Sequence, residues 1–188
     1  RLPMVLAVLG LFLAASLTAA AQSVQITLLH IGDTHSHLDA WGPKDGALNG
    51  TLGGLPKAAA VVAAERASDP NALFVHAGDL LDGEVFFNEY LGVPEFRMLK
   101  AIGLDALVLG NHEFRFGPDF LVGVLQNAWP GDGVPILGTN IDPQGHSLGS
   151  WITSRLILEV QGLKVGFLGL TTHKGALADR KASCRERV

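Results

Sequence analysis

Between Val24 and Thr172 the sequence alternates short apolar runs with segments that open on proline. That alternation confines the chain to very few folds. The runs VQITLLH (Val24–His30), ALFVHAG (Ala72–Gly78), DALVLG (Asp105–Gly110) and VPILGTN (Val134–Asn140) are short and apolar. Three of them lack polar alternation, as expected of strands covered on both faces. Between them lie PKAAAVVAAERAS from Pro56, PEFRMLKAIG from Pro94 and PDFLVGVLQNA from Pro118. Proline suits the first turn of a helix, where its missing N–H costs nothing. Gly103 supplies a stop for the second helix. The order β-α-β-α-β-α-β predicts an α/β layered fold with a mainly parallel sheet. SRLILEV and KVGFLGL follow, joined at Gln161-Gly162-Leu163, and predict an antiparallel hairpin. The glycine-rich stretch Trp41–Gly54 reads as a surface loop beside a site.

The two ends follow other rules. Arg1, an apolar run from Met4 to Leu17, and Ala19 and Ala21 in an A-x-A arrangement have the layout of a secretory signal peptide. Cleavage is expected after Ala21, which makes 1–21 a leader, 22–178 the domain, and the product periplasmic or extracellular without a stable membrane anchor. The last residues, 179–188, are rich in Lys and Arg and lose apolar periodicity. They are read as a tail outside the domain, a sequence scar rather than part of the fold. Cys184 is the single cysteine, so no disulfide forms within the chain. Lys and Arg number 14 against 18 Asp and Glu, without a basic stripe. This argues against a nucleic-acid polymer as partner.

Three polar clusters interrupt the apolar pattern, each at the carboxyl end of an expected strand. They are Asp33-Thr34-His35 with His37, Gly78-Asp79 with Asp82-Gly83, and Gly110-Asn111-His112-Glu113. In open α/β sheets that edge binds ligands. Each separation accommodates a crossover of about 30 residues, so the clusters can meet in space. Asp33 and His35 are two apart and, in extended chain, point to one side. Two bare carboxylates about 4 Å apart repel by about 4 kcal/mol at an effective dielectric of 20. Either one is protonated or a cation lies between Asp33 and Asp79. The imidazole of His35 and the amide oxygen of Asn111 favour the cation. Gly-Asn-His-Glu is the most pointed cluster, since four such groups have no evident packing role in a tight loop.

These motifs resemble the calcineurin-like metallophosphoesterases. LLHIGDTHSHL, GGLPKAA, FVHAGDLLDG, GNHEF and VGFLGLTT together are similar to the secreted 5′-nucleotidase family, from about Ile26 to Thr172. The resemblance implies a layered αββα-type fold, two divalent ions (zinc, manganese, iron or cobalt) and a small nucleotide substrate. It makes Asp33 and His35 ligands of the first metal, Asp79 the bridge and Asn111 a ligand of the second. His112 becomes the catalytic residue that stabilises the transition state or protonates the leaving oxygen. His37 and Asn140 stand as substrate-lining or structural residues. Cyclic-nucleotide phosphodiesterases and sulfur-ester hydrolases use similar clusters, and a non-catalytic binding module is a third reading. The family's later histidines, including a G-H-x-H motif, do not occur in these 188 residues. The C-terminal part of the catalytic domain is therefore expected to be missing and the chain inactive by itself. His146 and His173 are not expected to substitute. One position departs from the family pattern. An aspartate usually follows GNHEF and orients the histidine, whereas this chain has Arg115, which either turns away toward phosphate or leaves that duty to another acid such as Asp119.

Overall fold

The structure is a computed structural model of the chain, and it describes residues 23–40, 52–172 and 185–186. The expected signal peptide, most of the 41–54 loop, His173 and Cys184 lie outside the described residues. Five strands form one parallel sheet in the order β1 (Leu28–Ile31), β2 (Leu73–His76), β3 (Ala106–Val108), β4 (Ile136–Leu137) and β6 (Ile152–Thr153). The register runs Leu28↔Leu73, Val75↔Ala106, Leu107↔Ile136 and Ile136↔Ile152. The α/β class and the mainly parallel sheet are as expected from sequence.

Helices α1 (Gly54–Ser68), α3 (Val93–Ile102) and α4 (Pro118–Ala128) are the three that open on proline. Pro94 and Pro118 occupy first-turn positions, and Gly103 caps α3 at φ 89° with its N–H bonded to the carbonyls of Leu99 and Lys100. Along α4 the buried positions are Pro118, Leu121, Val122, Val124, Leu125 and Ala128, the spacing of one helical face. α1 packs on α3 and α3 on α4. The core between sheet and helices contains Phe74, Phe96, Leu99, Leu107, Leu121, Leu125, Trp129 and Ile136. Trp129 meets Phe96 edge-on at 5.2 Å and donates its indole N–H to the Phe96 carbonyl at 3.0 Å, which makes its burial possible without an orphaned donor. At the opposite edge of the sheet from the polar clusters, Arg66 of α1 bonds Asp105 at 2.8 Å, and the same carboxylate oxygen accepts the Phe74 N–H at 2.7 Å. This fixes α1, β2 and β3 to one another.

The hairpin is β7 (Leu156–Val160) and β8 (Leu163–Phe167), a separate two-stranded sheet. Gln161 and Gly162 have φ of 50° and 79°, the left-handed pair of a tight two-residue turn. Replacing Gly162 by Ala is expected to cost about 1 kcal/mol, read from urea unfolding, because no neighbour obstructs a Cβ there and only the backbone resists it.

Several expectations need correction. Val24–Thr27 precedes the first strand rather than belonging to it. A short helix, α2 (Val85–Tyr90), and strands β5 (Ile141–Asp142) and β6 were not anticipated. α2 is a single apolar-aromatic stretch too short to show a period, and it ends on Leu91 at φ 56° instead of a glycine. β6 is two residues long, below what alternation can reveal. Apart from these corrections, Arg185–Glu186 (β9) pairs antiparallel with β5.

Candidate metal centre

The three polar clusters do meet, at the carboxyl ends of β1, β2 and β3. Backbone bonds continue beyond the strands: Asp33 N–H to Gly78 O at 2.9 Å, His35 N–H to Asp79 O at 3.1 Å and Ser36 N–H to Leu80 O at 2.9 Å. The chain there is not extended, which corrects the alternation argument for Asp33 and His35. Asp33, His35, Ser36, Asp79 and Asp82 all have φ between 40° and 66°. Left-handed backbone is uncommon for non-glycine residues, and its concentration in these loops marks a place where surrounding bonds overdetermine the conformation.

The strongest of those bonds come from Glu113. Its carboxylate is fully buried and accepts four main-chain N–H groups: Leu80 at 2.7 Å and Leu81 at 3.0 Å on one oxygen, Gly110 at 2.6 Å and Asp79 at 3.0 Å on the other. Glu113 therefore carries a structural role, contrary to the expectation that the Gly-Asn-His-Glu residues do not pack. Burial pushes its carboxyl pKa up, and the N–H donors pull against that shift.

Two glycines allow the second and third loops to touch. Gly78 sits at φ 100°, and a Cβ there would lie 2.6 Å from Gly110 N. At Gly110 a Cβ would lie 2.2 Å from an Asp79 carboxylate oxygen. Gly110→Ala is thus expected to displace the Asp79 side chain and destabilise the fold by about 1–3 kcal/mol. A thermal melt with and without added divalent ion checks this, and an unchanged melt in both conditions contradicts it.

Within this frame His35, Asp79 and His112 offer ligand atoms that all lie within 4.8 Å of one another. His35 donates Nδ1–H to the Asp82 carbonyl at 2.7 Å. That bond fixes the tautomer and leaves the Nε2 lone pair free. Asp33 places a carboxylate oxygen 3.9 Å from His35 Nε2, with its side chain 82% exposed. Asp33 is thus beside the three-residue group and on its open side. Asp79 also accepts the His112 N–H at 3.0 Å. Asn111 is half-buried at the start of the 3₁₀ turn His112–Phe114, without a capping bond from its side chain. The rings of His35 and His112 are nearly perpendicular, with centroids 4.6 Å apart.

The remaining residues take other places. His112 donates Nδ1–H to Asp82 Oδ2 at 3.1 Å, and Arg115 pairs with the same oxygen. Asp119, considered above as the orienting acid, instead accepts from His146 at 2.9 Å. His37 donates Nδ1–H to the Thr34 carbonyl and faces Glu84 at 3.2 Å through its other nitrogen. With Asp33 and Thr34 it lines a cavity of about 360 Å³ against Leu55 and Ala58 of α1. The Asn140 side chain makes a reciprocal pair of 2.9 Å bonds with the Thr171 backbone, tying the end of β4 to the segment after β8. His30 is exposed. Asp82 and Glu113 are the roles that sequence reasoning missed.

His76 is 1% exposed. It accepts the Gly78 N–H on Nδ1 at 3.1 Å and donates Nε2–H to Thr34 at 3.0 Å, so it is neutral as bonded. Burial first, and His30 second, lower its pKa to about 4, against a partial opposing effect of Asp79. The unfolded chain binds this proton more readily, so the contribution is complete above pH 6.5 and is lost as pH falls toward 4. Between pH 7 and 4.5 the loss is expected to be about 2.5 kcal/mol. Urea unfolding at the two pH values measures it. His76→Gln should flatten that part of the profile, and an equal drop in the variant contradicts the assignment.

The calcineurin-like phosphoesterase family profile matches residues 26–167. This chain belongs to that family. Snake venom 5′-nucleotidase from Gloydius brevicauda is 32% identical over 175 residues, which are 90% of this chain and 29% of that protein. Among solved structures, the 5′-nucleotidase precursor of Thermus thermophilus matches with a TM-score of 0.69 at 30% identity, over 80% of this chain and 29% of that one. NAD nucleotidase from Haemophilus influenzae matches with a TM-score of 0.73 at 27% identity, over 88% of this chain and 30% of that one. This calcineurin-like phosphoesterase chain thus spans under a third of the length of these relatives.

A divalent cation fits the residues present. One carboxylate and two imidazoles converge with the exposed Asp33 carboxylate beside His35, the ring orientation of each imidazole is set by an acceptor on its Nδ1–H, and a mixed nitrogen and oxygen donor set suits zinc, manganese, iron or cobalt. Among the described residues no helix is long and apolar enough to cross a membrane.

Proposed function

We propose that the chain carries the metal-binding part of a secreted 5′-nucleotidase, a hydrolase of nucleotide phosphoesters. The observation that carries this reading is the convergence of His35, Asp79 and His112, with Asp33 at their open side, in a chain several of whose matched relatives are named as nucleotidases. Asp33 and His35 would hold one divalent ion, Asp79 would bridge to a second, and Asn111 would bind the second. Such ions supply Lewis-acid neutralisation of phosphate charge and lower the pKa of water. The chain's own contribution is positional. Glu113 holds the Asp79 loop, Asp82 holds both imidazoles, and His112 stands on the β3 side of the His35 and Asp79 side chains. Beside the ligand atoms of His35 and Asp79, His112 would stabilise charge developing on the phosphate oxygens or protonate the leaving oxygen.

Export to the periplasm or the cell exterior, through the leader at 1–21, belongs to the same proposal and matches scavenging of nucleotides from outside the cell. The test is a divalent-ion titration of the chain by calorimetry, followed by phosphate release from 5′-AMP beside 2′,3′-cyclic AMP. Saturable binding of manganese or zinc, and preference for 5′-AMP in any turnover detected, are expected. Because no G-H-x-H motif is present, turnover by the chain alone should be slow. Failure to bind either ion at millimolar concentration would overturn the reading.

A further inference from the structure

We propose that Glu95 is a positioning residue of the His35 loop, a buried neutral carboxylic acid that donates its proton to the Ser36 hydroxyl and so holds the turn carrying His35. This rests on the reading of His35 as a metal ligand and adds what fixes its loop from the protein interior. Glu95 lies in the first turn of α3 and is 0% exposed, and Ser36 is 1% exposed. Neither carboxyl oxygen of Glu95, nor Ser36 Oγ, completes a hydrogen bond within the protein. The Ser36 hydroxyl is nonetheless close enough to act on that carboxyl. Three buried polar atoms are thus left over at one place, and a proton carried by Glu95 and shared with Ser36 gives them a donor and an acceptor. An ionised carboxylate there would need a charged partner. Among the described residues none of the ion pairs includes Glu95. Burial pushes its carboxyl pKa up, against the pull of the Ser36 hydroxyl and of its own N–H.

The place matters because of what Ser36 carries. It separates His35 from His37 and has φ of 58°, a conformation disfavoured for a residue with a side chain. Its main chain is bonded on both sides, its N–H to the Leu80 carbonyl at 2.9 Å and its carbonyl to the Leu38 N–H at 2.7 Å. The side chain supplies a third tether. The flanking rings turn to other partners, His35 to the Asp82 carbonyl, and His37 to the Thr34 carbonyl and Glu84. The start of α3 is also pressed against the second loop. A Cβ on Gly92, its N-cap, would lie 2.6 Å from the Leu81 side chain. The helix therefore meets both loops, the second through Gly92 and the first through Glu95.

Infrared difference spectra of the full chain at about pH 8 read the acid directly. Subtracting Glu95→Gln from the parent should leave the carbonyl stretch of a neutral carboxylic acid. Ser36→Gly, which suits the left-handed backbone, should move that band to higher frequency. A carboxylate signal in its place, or a neutral-acid band indifferent to Ser36→Gly, overturns the proposal. Amide hydrogen exchange, followed by NMR without any metal, tests the loop. Glu95→Leu should speed exchange of the His35 and Ser36 N–H groups about 10-fold relative to those of α4. Glu95→Gln, whose amide also donates, should keep the parent's rate. Manganese affinity should fall about 10-fold in Glu95→Leu and be retained in Glu95→Gln, even where the Leu variant melts as high as the parent. Exchange in Glu95→Leu equal to that of the parent means that Glu95 only fills space, and the proposal falls. Should Glu95→Leu fail to fold, the spectra of the parent and of Ser36→Gly decide. A parent that binds no manganese, with band and exchange as expected, counts against the metal-centre reading alone.

Discussion

Glu113→Ala is expected to destabilise the chain by at least about 4 kcal/mol, far more than an ordinary loop substitution. The change strips the acceptor from the N–H groups of Asp79, Leu80, Leu81 and Gly110 at once. A buried donor left unpaired costs about 1–3 kcal/mol. Part of this is offset, because removing a carboxylate whose pKa is raised by burial relieves its desolvation. The offset does not cancel the loss, because the partners are main-chain groups that remain buried and unpaired. At about 2–4 °C per kcal/mol for a chain of this size, the melting temperature should fall by about 8–16 °C. Glu113→Gln is the sharper comparison. It keeps the volume but turns one acceptor oxygen into a donor that faces two N–H groups, so it should lose most of what Ala loses. Differential scanning calorimetry of both variants decides the matter. A drop below about 1 kcal/mol in each would mean that the loops are held by something other than this carboxylate.

The same residue shows where reading a sequence stops. The order of strands and helices was legible because each element advertises its ends: Pro94, Pro118 and Gly103 occupy the positions their chemistry favours. The location of the site was legible for a related reason. Asp33, Asp79 and Asn111 each follow a strand, and parallel strands bring their carboxyl ends to one edge. The internal geometry of the loops was not legible. Side-chain alternation assumes extended chain, whereas His35 and Asp82 are left-handed. Glu113 resembled one more polar group of the site because burial depends on contacts between loops about thirty residues apart. Asp82 was visible as part of Asp-Gly, a common turn pair, and nothing local shows that its side chain reaches His112. Arg115 illustrates the converse. Its departure from the family pattern was evident, but the acid that reaches His112 lies in a different loop, brought near by the close approach of Gly78 to Gly110 and by the bonds to Glu113.

Asp79→Ala is expected to have the largest effect on function with a small effect on the fold. The carboxylate is the one group at the centre of the three parallel strand ends, with His35 on the β1 side and His112 on the β3 side. Its loss removes the proposed bridge between two ions. It also removes the acceptor of the His112 N–H, so both the ions and the histidine lose their reference point. Several kcal/mol of charge stabilisation depend on a properly held ion. A loss of about 4 kcal/mol corresponds to about 10³-fold in rate. Divalent-ion affinity measured by calorimetry should fall by a similar factor. The fold should tolerate the change, because the loop is held by the main-chain bonds to Glu113, which Asp79→Ala leaves in place. Alanine at φ 54° adds about 1–2 kcal/mol of backbone cost, so Asp79→Asn, which tolerates that region, separates the lost charge from the lost conformation. Asn should match Ala in ion affinity while melting closer to the parent chain. If Asp79→Asn binds manganese or zinc as tightly as the parent, the ions are held elsewhere. The convergence of the three strand ends would then be a structural knot without a metal centre.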